Sequence, residues 1–484
     1  MPTASVITDV RDALGRVHRH IYGHFIEHLR RCIYGGVWVG EGSSLPNVRG
    51  FRKDVLDLTR ALRPPIVRWP GGNFASGYHW EDGVGPRAQR PVKWDRAWNA
   101  EEPNEFGTDE FIAWCREVGT EPYICVNTGS APPEEAANWV EYCNKKGRTK
   151  YAALRAANGN AEPFGVKYWG IGNEVYGGWQ IGAVDAATYA KQVIEFSKQM
   201  RAVDPTIKLV AVGCESEAWN CEVLRTAGEY VDYISLHRYY HHDDYYESVA
   251  CPLDAERRLR HLGYLIDAVM ASKRKRRVEI AFDEWNVWYK EATGQSGFTQ
   301  HLALRDGIFA AGMFHVFHRL CASVTMANLA QLVNVLPAIV TDDQGRCYAN
   351  PIYLAFKLYG DHTGEIALRT RTESPAYKAE KVAPDPVPYL DCSATMSADG
   401  KKLFLAVVNR HKEEAINCRF EIIGATPAGQ GKQFVLNAES VEAKNDFDRP
   451  SAIQIQESSA EGVHNFFSRD FPAHSATIVE VQLR

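Results

Sequence analysis

The sequence predicts an α/β protein: a (β/α)8 TIM barrel followed by an antiparallel, jelly-roll-like β-sandwich. Three observations predict it. Between residues 15 and 360, short apolar, β-branched runs alternate eight times with longer stretches of helical periodicity. From about residue 361 the period falls to two, and clusters of Gly, Pro, Asp and Ser separate the runs. All 12 Trp lie between Trp38 and Trp288, which marks two parts of unlike character.

Taken in order, Ala4–Thr8 reads as an extended strand able to join the later sheet. Barrel strands are expected at His20–His24, Pro65–Trp69, Glu121–Val126, Val166–Gly172, Ile207–Val212, Val231–Leu236, Val278–Asp283 and Ser323–Ala327. Amphipathic helices are expected at Asp109–Val118, Glu134–Lys145, Ala186–Val203, Asp254–Lys273 and His301–Leu320. Continuous apolar strands alternating with helices signify a parallel sheet buried on both faces, and eight such units close a barrel. An open doubly wound sheet is the alternative. Beyond a boundary near Gly360–Gly364, Lys402–Asn409, Ile416–Ile423, Gln433–Leu436 and Thr477–Leu483 alternate apolar and polar residues. The expected domains are a catalytic barrel over 15–360 and a structural sandwich over 361–484, joined by about residues 1–14.

Composition narrows the function. Lys+Arg 55 against Asp+Glu 60 leaves a net charge of −5, with no basic footprint for nucleic acid or an anionic membrane. Asp9, Arg11 and Asp12 interrupt the first residues where a secretory signal needs an apolar run, and no segment is long and uncharged enough to span a membrane. The 11 Cys show no C-x-x-C pair, which suits reduced thiols in a cytoplasm better than disulfides or a thiolate metal site. No cofactor and no metal are expected.

In a barrel, function gathers at the C-terminal ends of the strands. The residues there are Glu27, Arg68 and Asn73, Asn127, Asn173 and Glu174, His237 and Tyr239, Asp283, Glu284 and Trp288, then Asn328 and Gln331. Carboxylates, amides and aromatics without a phosphate loop or nucleophile elbow suit a neutral, hydroxyl-rich ligand. Glu174 and Glu284 end the fourth and seventh strands, on opposite sides of one barrel mouth. Glycoside hydrolysis requires such a pair, one carboxyl to protonate the leaving oxygen and one carboxylate to attack the anomeric carbon. Trp38, Trp80, Trp94, Trp98, Trp179 and Trp288 are expected on loops of this face, where rings meet sugars, and Trp69 and Trp169 in the core.

The runs WGIGNE, with Tyr176 and Trp179 after it, and FDEWNVWY resemble glycoside hydrolase family 51, the α-L-arabinofuranosidases. The resemblance extends through GHFIEHLRRCIYGGVWVGEGS, VRWPGGNFASGYHWEDGVGP, EPYICVNTG, VDYISLHRYY and ANLAQLVNVLPAIVT, covering most of residues 1–360. It implies a retaining enzyme that releases terminal non-reducing α-L-arabinofuranosyl residues from arabinoxylan or arabinan fragments. It implies Glu284 as nucleophile and Glu174 as acid/base, protonated in the free enzyme. Glu27, Asn73, Asn173, Tyr239 and Gln331 match residues that bind the arabinofuranosyl ring, Arg68 and His237 the polar shell near the nucleophile, and Trp98 an aromatic on the leaving sugar. A homo-oligomer, a hexamer by resemblance, is implied too. The segment KEATGQSGFTQ after Tyr289 looks shorter than its counterpart in the family.

Two other readings stand beside this one. A barrel that binds sugar without turnover would share these residues. His24, Glu27 and His28 spell H-x-x-E-H, the pattern of inverted zinc peptidases, but that motif needs a helix and here follows a strand. His237, His241, His242, Asp243 and Asp244 also carry metal-ligand chemistry, and a solvated loop is the expected explanation.

Overall fold

The computed structural model describes residues 1–484 apart from 274–276 and 294–296. Eight parallel strands, Gly23–Phe25, Ile66–Trp69, Glu121–Val126, Tyr168–Ile171, Lys208–Ala211, Tyr233–Tyr240, Glu279–Val287 and Val324–Ala330, close into a barrel in chain order. A parallel neighbour needs a crossover, and helices Thr108–Val118, Pro133–Asn144, Ala186–Val203, Tyr245–Met270 and Leu304–Arg319 supply crossovers, the fourth beginning nine residues before the expected Asp254. Ile66, Tyr123, Tyr168, Val210, Tyr233, Ala281 and Met326 fill the lumen, so the barrel is a packed core below its mouth.

Three strands differ from expectation in ways that matter. The first strand is only Gly23–Phe25, because Arg19–Tyr22 winds into a 3₁₀ turn. Gly23 is required there: a Cβ would lie 2.7 Å from Ala327 O and 2.8 Å from Ile66, in the strands on either side. The sixth and seventh strands run on to Tyr240 and Val287, so His237, Tyr239 and Glu284 sit on paired backbone rather than on loops. Polar side chains end the apolar run where the strands rise out of the core, which makes a strand seem to stop early.

Nine strands from the two ends of the chain form one sheet. Their spatial order is Ile455–Val463, Pro427–Leu436, Ser475–Leu483, Lys402–Asn409, Leu390–Met396, Ile366–Glu373, Thr3–Arg16, Ile416–Ile423 and Phe466–Phe471. All neighbours are antiparallel except Thr3–Arg16 with Ile416–Ile423. Val6, Leu368, Cys392, Leu405 and Phe420 face a core inside the folded sheet, while Phe404, Ala406, Phe434 and Ile478 pack on the barrel's own cluster.

Polar contacts lock the two parts. Asp391 of the sheet meets Arg319 at 3.1 Å, Arg410 at 2.9 Å and His315 at 3.3 Å. Burial alone would raise this carboxyl, but the two guanidinium groups hold it well below the usual range. Carbonyls of Val441 and Ala443 take the first N–H groups of helix Leu304–Arg319, which would otherwise lack partners.

Trp38 and Trp80 depart from expectation. They are 2% and 1% exposed, Trp38 edge-on to Phe106 and Trp80 stacked on Trp139, and cannot serve as sugar platforms.

Candidate active site

At the C-terminal mouth of the barrel lies a cleft of about 480 Å³. Two local distortions build it. Gly172 and Glu174, just past the fourth strand, both have left-handed backbones, with φ of 80° and 41°. A Cβ on Gly172 would lie 2.1 Å from Thr128 Oγ1, so the turn depends on glycine there. Glu174 holds a conformation uncommon for its type, the kind of strain found where a side chain must be aimed. In the seventh strand the register slips between the Ser235–Ala281 and His237–Glu284 pairs, which adds one residue to that strand. Such a bulge lets consecutive side chains leave the strict alternation of a strand, and both Asp283 and Glu284 are buried. One side-chain atom from each of Glu174, His237 and Glu284 lies within 4.8 Å of the other two.

The charges form a connected set. Glu284 accepts from Arg68 Nη1 at 2.5 Å and from the Tyr239 hydroxyl at 2.8 Å. Arg68 also donates to Asn173 Oδ1 at 2.7 Å and lies over the Phe25 ring. Glu174 accepts from the Tyr176 hydroxyl at 3.2 Å and Trp179 Nε1 at 3.3 Å. His237 joins the two halves, with Nδ1 2.8 Å from Glu174 Oε1 and Nε2 3.1 Å from Asp283 Oδ1. The other Asp283 oxygen accepts from Tyr123 at 2.7 Å.

Burial works against a charged imidazole, but Glu284, Asp283 and Glu174 outweigh it and raise His237 to about 10. Burial likewise pushes Glu174 up, and the hydrogen bonds from His237, Tyr176 and Trp179 bring it below the ordinary value. These contacts favour the charged form of Glu174, the opposite direction to the expected resident proton. The 2.8 Å contact between Nδ1 and Oε1 holds one proton shared by His237 and Glu174, and the surrounding negative charge favours the imidazolium side.

Nine of the eleven expected site residues line the cleft: Glu27, Asn73, Trp98, Asn173, Glu174, Tyr239, Glu284, Trp288 and Gln331. Arg68 and His237 lie beneath, bonded to the two carboxylates. Glu27 accepts from Gly72 N, Phe74 N and Trp98 Nε1 on one oxygen and from Gln331 Nε2 on the other. Burial and the nearby Glu284 raise it to about 7. Asn173 Nδ2 lies 3.4 Å from Asn73 Oδ1. Trp98 and Trp288 each meet Phe298 with ring centroids 5.5 Å apart, forming an apolar wall.

Other candidates separate from the cleft. Asn127 binds Tyr78 O and Ser130, and Asn328 binds His24 O, so both brace backbone. His24 packs on Phe356, and both nitrogens of His28 are engaged, by Glu102 and by Trp69. The segment is strand and loop, and the peptidase geometry is absent from it. His237 lies in the site while His241 packs on Tyr289 and His242 pairs with Glu247, so that cluster is divided.

Residues 58–258 match the α-L-arabinofuranosidase 1 domain, and residues 283–475 match the α-L-arabinofuranosidase C-terminal domain. The chain belongs to the glycoside hydrolase family 51 α-L-arabinofuranosidases. This arabinofuranosidase is 37% identical to the probable α-L-arabinofuranosidase C of Aspergillus clavatus, over 99% of this chain and 97% of that one. It is 35% identical to the intracellular exo-α-(1→5)-L-arabinofuranosidase of Halalkalibacterium halodurans, over 92% of each. The α-L-arabinofuranosidase from Thermotoga maritima, solved as an arabinose complex, superposes with a TM-score of 0.93 at 45% identity, covering 99% of this chain and 100% of that one.

Several residues of the arabinofuranosidase site escape reasoning from strand ends. Tyr123, inside the third strand, donates to Asp283, which in turn meets His237, and Tyr176, read only as part of the run after WGIGNE, donates to Glu174. Phe298 and Leu336 reach the cleft from loops without a periodic pattern. Residues 294–296 of the short segment after Tyr289 lie outside the described residues.

Proposed function

We propose that this arabinofuranosidase is a retaining, exo-acting enzyme that removes terminal non-reducing α-L-arabinofuranosyl residues from arabinoxylan or arabinan fragments. The observation that carries the reading is that one carboxylate oxygen of Glu174 and one of Glu284 lie within 4.8 Å of each other, which supports the close pair of double displacement over the wider gap that admits water for direct inversion.

In the first step a Glu284 oxygen bonds to the anomeric carbon and the bond to the leaving oxygen breaks. The leaving oxygen takes the proton shared by His237 and Glu174, passed from Glu174. Arg68 and Tyr239 orient the attacking carboxylate. The bare Nδ1 of His237 then faces the Glu174 carboxylate, and that repulsion raises the basicity of Glu174. In the second step water attacks the anomeric carbon, Glu174 accepts its proton, and the Glu284 ester bond breaks. Glu27, Asn73, Asn173 and Gln331 supply hydrogen bonds to the ring hydroxyls, and the wall of Trp98, Phe298 and Trp288 closes over one side, which favours a chain end over an internal unit. The reading includes a cytoplasmic location, supported by the Halalkalibacterium halodurans relative's intracellular description. Among the described residues no helix is long and apolar enough to cross a membrane. It also includes a homo-oligomer, which sedimentation would measure.

The test is hydrolysis of 4-nitrophenyl α-L-arabinofuranoside by the wild type, Glu284→Ala and Glu174→Ala, with the first-formed anomer read by NMR. Loss of turnover in Glu284→Ala and an α-anomer product are expected. Full activity in either variant, or a β-anomer product, overturns the assignment. Binding of arabinose without any turnover would instead establish the sugar-binding reading.

A further inference from the structure

A second cavity, of about 250 Å³, shares two walls with the catalytic cleft. The segment after the second barrel strand contributes Asn73 to the cleft and Phe74, Gly77 and Tyr78 to the cavity. The hairpin of Lys93–Asp95 and Ala100–Glu102 contributes Trp98 to the cleft and Trp94, Asp95 and Arg96 to the cavity. The loop that carries Glu174 and Trp179 packs on the first of these walls: Gln180 donates to Ser76, and Ile181 borders Gly77. The cavity therefore adjoins the acid/base side of the cleft, where the leaving group departs.

The chemistry of this region matches a sugar chain. Trp94 and Trp179 are 58% and 65% exposed, the exposed tryptophans among the described residues, and they belong to the hairpin and the loop on this side. An exposed indole is an apolar plate with one donor, suited to a pyranose or furanose face. Asp82, Asp95, Lys93 and Arg96 add donors and acceptors of both signs, which favours a neutral polyhydroxylated ligand over an ion.

Resting on the function proposed above, we infer that this cavity and Trp94 form a distal subsite for pentose units of the chain attached to the leaving oxygen. The enzyme then distinguishes an arabinofuranosyl group on a chain from one on a small aglycone.

The experiment compares kcat/KM on 4-nitrophenyl α-L-arabinofuranoside, on α-1,5-linked arabino-oligosaccharides of two to five units, and on arabinoxylo-oligosaccharides, for the wild type, Trp94→Ala, Trp94→Phe and Arg96→Ala. In the wild type kcat/KM rises with chain length in at least one oligosaccharide series; the series that responds identifies the chain. Trp94→Ala removes that rise, about tenfold for one aromatic contact, mainly through KM. Trp94→Phe keeps part of it, and all variants retain wild-type activity on the nitrophenyl substrate. A flat length dependence in the wild type overturns the subsite. So does Trp94→Ala that leaves the chain substrates unaffected, or that alters only sedimentation mass, which would make Trp94 a contact between copies. Failure of the function reading itself would appear separately, as absence of turnover on the nitrophenyl substrate.

Discussion

Replacing His237 with Asn tests the shared proton. The imidazole is buried, with Nδ1 2.8 Å from Glu174 and Nε2 3.1 Å from Asp283, and an amide of this length cannot reach both carboxylates. The variant keeps Glu174 but loses the group on which its proton rests. General acid catalysis contributes about 10²- to 10⁴-fold, and loss of the proton store is expected to remove about 10²-fold of that on sugar leaving groups, or about 2.7 kcal/mol of barrier. A 4-nitrophenolate leaving group needs little protonation, so kcat/KM on that substrate should fall by about tenfold or less. The pH profile supplies the readout a merely structural role would not move. In the wild type the pair gives up its proton at the raised value of His237, about 10. In the variant Glu174 alone holds the proton, and the alkaline limb for sugar leaving groups moves to lower pH. Thermal melts establish that the variant is folded, since an unpaired buried carboxylate costs about 1–3 kcal/mol. Equal losses on both substrates with an unmoved alkaline limb would refute the shared proton, and His237→Gln should recover no more of the limb than Asn.

Three other outcomes follow from the geometry. Asp391→Asn leaves Arg410 without its buried anion while Arg319 keeps Glu256, so a loss of about 3 kcal/mol is expected, with barrel and sheet melting in separate calorimetric transitions; a single unshifted transition would show that the cluster does not couple them. Glu27 accepts four hydrogen bonds as a carboxylate but is raised to about 7, so KM should climb as pH falls below that value, and Glu27→Gln should give a KM about tenfold higher that no longer varies with pH; a wild-type KM constant from pH 5 to 8 would contradict this. Because His237 is raised from 6.5 to about 10 on folding, its stabilisation is complete below pH 6.5 and is lost as pH rises through about 10, a loss that denaturant titrations should show in the wild type and not in His237→Asn.

The barrel was legible because its signals are local. A strand buried on both faces must be apolar throughout, and a crossover helix must carry period 3.6, so the strands were placed to within a few residues. The two carboxylates were legible for the same reason: a charged residue at the end of a buried run is conspicuous, and a closed barrel must bring eight such ends together. Trp38 and Trp80 show the limit of that logic, since a residue in a loop segment is not thereby exposed.

The sequence by itself determined the order of barrel and sheet, the mouth at which chemistry gathers, and the family through its long ordered runs. Tertiary structure alone decided which strand-end residues are close and how their charges settle. The bulge that buries Asp283 beside Glu284 and the left-handed backbone of Glu174 carry no periodic signature, and the bridge through His237 joins residues 46 and 63 positions apart in the chain. Proton placement depends on distance and burial summed over all those neighbours, and periodicity along one strand records neither.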